Sequence, residues 1–240
     1  MPAEKILDFL DQARELGFHG QVGFHHFSEP LLDKRNIMLA EEAKKRGMRP
    51  YLHTNGDALR RDDRLCADVK RIYAYIVVGL YDYASDAELL AEKQYWSERL
   101  SGANLKFSAI GLNGRRSGFS MGIPKALVPP NPRMAAPDLT FSNGPCHRPL
   151  IRMIVQYDGT VCHCCEDTSG VFELGNAFNL SLRELWFSER HVQAVQDLVA
   201  GEREEYELCR KCPLPPTGPA PTGEKIKIAR RQVIGGQPSA

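Results

Sequence analysis

The sequence predicts an α/β protein: strands and helices alternating to build a parallel sheet, followed by a small cysteine-rich domain of hairpin and helix. Two observations carry this. Extended apolar runs alternate with helix-length amphipathic runs through the first 110 residues, which is the pattern of βαβ units. Cysteines are then concentrated late in the chain: Cys146, Cys162, Cys164, Cys165, Cys209 and Cys212 fall within 67 residues, and only Cys66 stands apart.

The elements follow in order. Residues 4–16 carry Ile6, Leu7, Phe9, Leu10, Ala13 and Leu16 at helical spacing, and Gly17 ends the run. Residues 21–27 read as a strand and 33–46 as a helix that stops at Gly47. A short strand at 49–53 leads into the turn Thr54-Asn55-Gly56, and a weaker helix covers 62–69. The β-branched and aromatic run 71–78 predicts a buried strand, 86–100 a helix and 104–110 a fourth strand. The chain opens on a helix, so the sheet is expected to lack the strand that would precede it. Residues 1–110 thus form a partial α/β domain.

Residues 111–145 hold Pro124, Pro129, Pro130, Pro132, Pro137 and Pro145 with little periodicity, and read as a linker. Two extended runs, 151–156 and 161–165, flank Tyr157-Asp158-Gly159-Thr160; the Asp-Gly predicts a tight hairpin turn with both central residues at positive φ. Residues 181–199 read as one helix, opened by Ser181 and Glu184 in a capping-box pattern. The cysteine domain spans 146–212, and 213–240 is expected to be a disordered tail.

Composition narrows the function classes. With 31 basic and 30 acidic side chains, net charge +1, there is no basic excess for a nucleic-acid footprint. No apolar run reaches the length of a membrane span. Met1-Pro2-Ala3-Glu4-Lys5 lacks the shape of a signal peptide, so the expected compartment is the cytoplasm. Thiols stay reduced there, and clustered cysteines mean metal or redox chemistry.

Cys209-Arg-Lys-Cys212 is a two-residue-gap pair whose thiolates can point at one metal centre. Cys162 and Cys164 are expected on one face of the second hairpin strand and Cys165 on the other. Cys146 lies just before the first hairpin strand. One set that unites linker, hairpin and chain end is Cys146, Cys164, Cys209 and Cys212. Cys162 and Cys165 are then alternate ligands, a redox pair or packing residues. Four thiolates suit zinc or an iron–sulfur cluster, and spacing does not choose between them. Cys66, alone, reads as a buried free thiol.

The late stretch resembles the SPASM domain of radical S-adenosylmethionine (radical SAM) enzymes. The resemblance is carried by Cys146-His-Arg-Pro149, Asp158-Gly-Thr-Val161, Cys164-Cys-Glu-Asp167, Leu174-Gly-Asn176, Ser181-Leu-Arg-Glu-Leu-Trp186 and Cys209-x-x-Cys212. In that family a ligand cysteine follows the hairpin glycine by five residues, as Cys164 follows Gly159, which favours Cys164 over Cys165. The resemblance implies an auxiliary [4Fe–4S] cluster rather than zinc. The first part resembles the later strands of the radical-SAM partial (β/α) barrel. Ser28-Glu29-Pro30 resembles the segment whose glutamate contacts the methionine amino group of S-adenosylmethionine, though Phe27 and Ser28 replace the family's glycines. Thr54-Asn55-Gly56 resembles the turn after the third strand. The family's CxxxCxxC loop, which holds the cluster that cleaves S-adenosylmethionine, is absent from these residues. The expectation is a shortened or degenerate radical enzyme acting on a peptide or small molecule with an electron-donor protein. The alternatives are a non-catalytic iron–sulfur electron-transfer or partner-binding module and a structural four-cysteine zinc protein.

Other candidates are weaker. His25 and His26, near Glu29, and His53 end strands where a parallel barrel carries its site, against the ordinary reading of polar packing. His163, by strand alternation, is expected to point away from Cys164. Asp82, Arg60-Arg61 and Arg115-Arg116 read as solvated charge.

Overall fold

A computed structural model of the chain describes residues 1–26, 28–80, 83, 85–109, 144–167, 170–210, 212, 216 and 217. Phe27, Asp82, Arg115-Arg116, nearly all of the expected linker and all of the expected tail except Pro216 and Thr217 lie outside the described residues. The chain divides into two compact units, with described residues 1–109 in the first and 144–217 in the second.

The first unit runs α1 (Ala3–Glu15), β1 (Gln21–Val22), α2 (Asn36–Lys45), β2 (Arg49–Thr54), α3 (Asp57–Arg61), α4 (Asp63–Ile72), β3 (Tyr75–Leu80), α5 (Asp86–Arg99) and β4 (Leu105–Ala109). The strands lie in the order β1-β2-β3-β4, each parallel to its neighbour, with helices in every crossover. Asp62 caps α4 by accepting from Leu65 N, and Ser85 caps α5 by accepting from Glu88 N. Alternation along the strands sorts their side chains into two faces. Leu52, Ile76, Val78 and Leu80 pack with Leu59, Val69, Leu89 and Trp96 into one apolar core. The other face is polar and aromatic. Tyr51 and Tyr75, opposite each other in register, stack with centroids 5.0 Å apart. Lys106 Nζ lies 4.3 Å above the Tyr75 ring, and Tyr75 Oη donates to Gln21 Oε1 at 2.9 Å.

Three elements differ from expectation for local reasons. The first strand ends at Val22, and Gly23 follows it, packed so close to Tyr51 that an added Cβ would sit 2.7 Å from its Cζ. The third strand starts at Tyr75 rather than 71, because Val69 and Ile72, one turn apart, both bury in the core and carry α4 onward. A short extra helix, α3, fills the loop after β2.

The second unit runs α6 (Arg148–Ile151), β5 (Ile154–Val155), β6 (Thr160–Cys162), β7 (Glu173–Asn176), α7 (Leu182–Trp186), α8 (Glu189–Ala200), a 3-10 turn (Arg203–Glu205) and α9 (Glu207–Arg210). Strands β5-β6-β7 form an antiparallel sheet. The hairpin loop has three residues, not two. Gly159 N donates to Gln156 O at 3.0 Å, Gly159 takes φ +86°, and Asp158 keeps an ordinary negative φ. The positive φ expected at both positions is thus needed only at the glycine. The expected helix 181–199 is two helices. The Ser188 hydroxyl donates to Leu185 O at 2.9 Å, closing α7, and accepts from His191 N at 3.3 Å, opening α8. The capping box is present: Ser181 Oγ accepts from Glu184 N, and the Glu184 carboxylate accepts from Ser181 N at 2.7 Å. Among the described residues no helix is long and apolar enough to cross a membrane.

Candidate metal centre

Each of the four favoured cysteines is fixed by its own local device. Cys146 N donates to Leu198 O at 2.7 Å, tying that strand of chain to the last turn of α8. Its flanks are tied too: Arg203 Nε donates to Gly144 O at 2.9 Å, and Thr217 N to Pro145 O at 3.0 Å. Cys164 follows the end of β6 in a tight loop in which Asp167 N donates to Cys164 O at 3.1 Å. The buried Asp167 carboxylate closes that loop, accepting from Val171 N and Phe172 N, each at 2.9 Å. Cys209 lies in α9, and Cys212 N donates to Cys209 O at 3.2 Å, which folds the CxxC pair back on itself. Tyr206 Oη donates to Asp197 Oδ2 at 2.6 Å and anchors this pair to α8.

These four thiols line one cavity in the second unit. Cys146 and Cys209 are buried there against Leu198 and Tyr206. Burial, with the neighbouring Cys146 and Cys212, pushes the Cys209 thiol up to about 12. A thiolate in such a place needs a cation to sustain it. Arg203, fully buried, lines the same cavity and acts the opposite way on Cys209, favouring its charged form. Arg148 Nη1 lies 3.7 Å from Cys146 Sγ, and Glu166 N donates to Cys164 Sγ at 3.5 Å. Four thiols around one cavity, backed by cationic and N–H donors, fit a thiolate-held, negatively charged inorganic group. Among the described residues no three His, Cys, Asp or Glu side chains are gathered as a single-ion site.

The structure corrects the placing of His163, which lines this cavity together with Cys164. Alternation fails there because β6 ends at Cys162 and its register with β7 shifts between Val161 and Cys162. His163 is 1% exposed, and neither ring nitrogen has a hydrogen-bond partner among the described residues. Burial holds this imidazole neutral, its pKa pushed down to about 3. Glu166 was also missed as a cavity residue; burial, then the nearby Cys165, pushes it up to about 7. Its place in the Cys164-Cys-Glu-Asp167 run was the available signal.

The other cysteines do not line the cavity. Cys162 is buried at the end of β6, where its Sγ accepts from Gln156 Nε2 at 2.7 Å. Cys165 takes a hydrogen bond from Cys164 that holds its thiol low, with Arg152 Nη1 3.8 Å away. Cys66 is buried in the first unit and donates to Leu59 O at 3.1 Å.

In the first unit Glu29 joins two strand-end loops. Its Oε1 accepts from Thr54 Oγ1 at 2.6 Å and Leu31 N at 3.1 Å, and its Oε2 from Asn55 N at 2.7 Å. A carboxylate has about four acceptor sites, and donors among the described residues fill three of them. The His25 ring lies 5.3 Å from Tyr51 and 5.6 Å from His53, centroid to centroid, and burial, then His53 and His26, lowers its pKa to about 4. Arg60 is not loose charge: it pairs with Glu92 and lies over Tyr95 and Trp96.

Residues 146–213 match the SPASM family, an iron-sulfur cluster-binding domain. With the parallel α/β unit before it, this defines the class that the chain is similar to: radical-SAM proteins that carry a SPASM domain. Among individual proteins, the chain is 25% identical over 214 residues to the S-adenosyl-L-methionine-dependent 2-deoxy-scyllo-inosamine dehydrogenase of Niallia circulans, covering 85% of this chain and 76% of that one. Its fold is that of BtrN. The crystal structure of BtrN in complex with AdoMet and 2-DOIA matches with a TM-score of 0.65 at 20% identity, over 88% of this chain and 80% of that one. The open conformation of BtrN matches with a TM-score of 0.63 at 19% identity, over 88% and 79%.

Proposed function

We propose that the second unit holds a [4Fe–4S] cluster on Cys146, Cys164, Cys209 and Cys212, and that the first unit receives S-adenosylmethionine at Glu29. A small polar ring compound is the proposed substrate, on the sheet face that carries Tyr51, His53 and Tyr75. The observation that carries this reading is the meeting of four thiols, from three separate stretches of sequence, at one cavity. When bound, the cluster supplies a one-electron donor or acceptor. The residues do the rest. Arg203 and Arg148 offset negative charge at the cavity. Glu29 keeps an acceptor site for the methionine ammonium while Thr54 and Asn55 hold its carboxylate still. The stacked tyrosines and Lys106 offer an aromatic, hydrogen-bonding floor suited to a hydroxylated or aminated ring. The substrate class rests on the small-molecule names of the relatives, which favour it over a peptide. These 240 residues contain no CxxxCxxC, so by themselves they are proposed to bind the auxiliary cluster without cleaving S-adenosylmethionine. An electron-donor protein would serve the complete reaction.

Anaerobic reconstitution with iron and sulfide tests this. The expected product is brown, with about four iron per chain, and Cys209→Ser/Cys212→Ser falls below about one. Colourless protein with about one zinc would replace the reading with a structural zinc site.

A further inference from the structure

The cavity holds a buried aromatic polar side chain that the four-cysteine arrangement does not use. His163 is 1% exposed and lines the cavity beside Cys164. Its ring is boxed by aromatic neighbours: Phe172 at 4.4 Å, His191 at 5.9 Å and Tyr206 at 6.5 Å between centroids. Neither nitrogen has a hydrogen-bond partner among the described residues. Its neighbour His191 shows the contrast, with both ring nitrogens placed on carbonyls, Trp186 O at 2.7 Å and Pro149 O at 3.1 Å. A buried imidazole always carries at least one N–H, and burying such a donor without an acceptor costs its full desolvation. Packing alone would be served as well by phenylalanine, which has no polar atom to satisfy.

We propose that His163 is a positioning and tuning residue for the cluster, donating a ring N–H to one of its sulfur atoms. The inference rests on the four-cysteine cluster proposed above and adds a fifth protein group to it. The four thiolates occupy the outward valences of the four irons, so the imidazole acts as donor and not as ligand. An N–H aimed at sulfur stabilises the more negative, reduced state and raises the reduction potential; burial strengthens it by excluding water. The ring is held for this by its backbone, since His163 N donates to Phe172 O at 3.3 Å on the loop closed by Asp167.

The experiment uses the reconstituted full chain. His163→Gln keeps an N–H donor and His163→Phe removes it. With about four iron in each, the Phe variant is expected to shift the reduction equilibrium at least tenfold toward the oxidised cluster, about 59 mV for one electron. The Gln variant is expected to stay near wild type. Pulsed EPR of the reduced wild-type protein, labelled with ¹⁵N-histidine, is expected to show a weak nitrogen coupling that vanishes in the Gln variant. This second measurement stands even if the Phe variant fails to load iron. Absence of that coupling, a strong coupling from nitrogen bound to iron, or equal potentials in Phe and wild type would each overturn the role of His163 while leaving the cluster intact. Wild-type protein without iron would overturn the cluster reading itself, and this inference with it.

Discussion

The two units of this chain bury different chemistry. The first packs Leu52, Leu59, Ile76, Val78, Leu80, Leu89, Trp96 and Leu100 into one continuous core. Among its described residues, the buried polar side chains Asn36 and Thr54 are paired: Asn36 accepts from Tyr73, and Thr54 donates to Glu29. The second unit buries His163, Glu166, Asp167, His191 and Arg203 beside its apolar residues, and one of its apolar clusters includes two of the cysteines. Among the described residues the first unit leaves His25 Nδ1 and Trp96 Nε1 buried without partners, whereas the second leaves both ring nitrogens of His163, His147 Nε2 and one Glu166 oxygen so, most of them at the cavity lined by the cysteines. The contrast teaches that the second unit is organised around something it binds, and that binding free energy there is folding free energy.

The largest effect expected from this contrast is on iron removal. The chain has two tryptophans, Trp96 in the first unit's core and Trp186 in α7 of the second, so each unit carries its own reporter. Anaerobic chelation of the reconstituted protein should abolish the folded signal of Trp186, read in a Trp96→Phe background. Trp96, read with Trp186→Phe, should keep a cooperative urea transition. If Trp186 kept its native emission without iron, the second unit would fold as the first does and the contrast would break.

The complementary test is a cavity in the first core. Trp96 is 0% exposed and fits so closely over Gly56 that a Cβ there would lie 2.4 Å from its Cζ2. Trp96→Ala should cost about 3–5 kcal/mol, read as a lowered urea midpoint by circular dichroism at constant slope. Iron content should stay at about four per chain. Iron lost along with the first unit's stability would show that the two units are not energetically separate.

The sequence showed most where chemistry repeats at fixed spacing. The CxxC pair, the Gly159–Cys164 interval and the Ser181–Glu184 box all point to features of the structure. Glu29 was legible as a loop carboxylate, but not its grip on Thr54 and Asn55, which lie more than twenty positions away. His163 was misplaced because strand alternation was carried past Cys162, where the strand ends. Arg203 gave no local signal: its guanidinium acts on Gly144, 59 residues earlier, and only the folded chain brings them together. The break at Ser188 was hidden inside an unbroken apolar period, since one hydroxyl serves both helix ends. Local patterns report periodicity and spacing, while long-range hydrogen bonds leave no trace until the chain closes.

The smallest expected effect is a pH dependence confined to the first unit. His25 has its pKa lowered to about 4, by burial first and then by the charges of His53 and His26, and its Nδ1 has no partner among the described residues. In the unfolded chain it titrates near 6.5. Between these values the unfolded chain binds a proton that the folded unit refuses, so stability is fully present above about pH 6.5 and is lost as pH falls toward 4. From pH 6.5 to 5 the loss is at most about 2 kcal/mol, at about 1.4 kcal/mol per pH unit. Urea titrations followed by Trp96, with Trp186→Phe, should show a steeper slope in the parent than in a further His25→Asn variant, which keeps the share of His53, an imidazole also lowered by burial. Carboxylates that are paired in the folded unit, such as Asp11 with Arg46, lose stability over a lower range and do so equally in both proteins. The difference between the two slopes therefore isolates the imidazole. Equal slopes would mean that His25 is as solvated when folded as when unfolded, and the polar face of the sheet would then be open to water rather than a desolvated floor for a substrate.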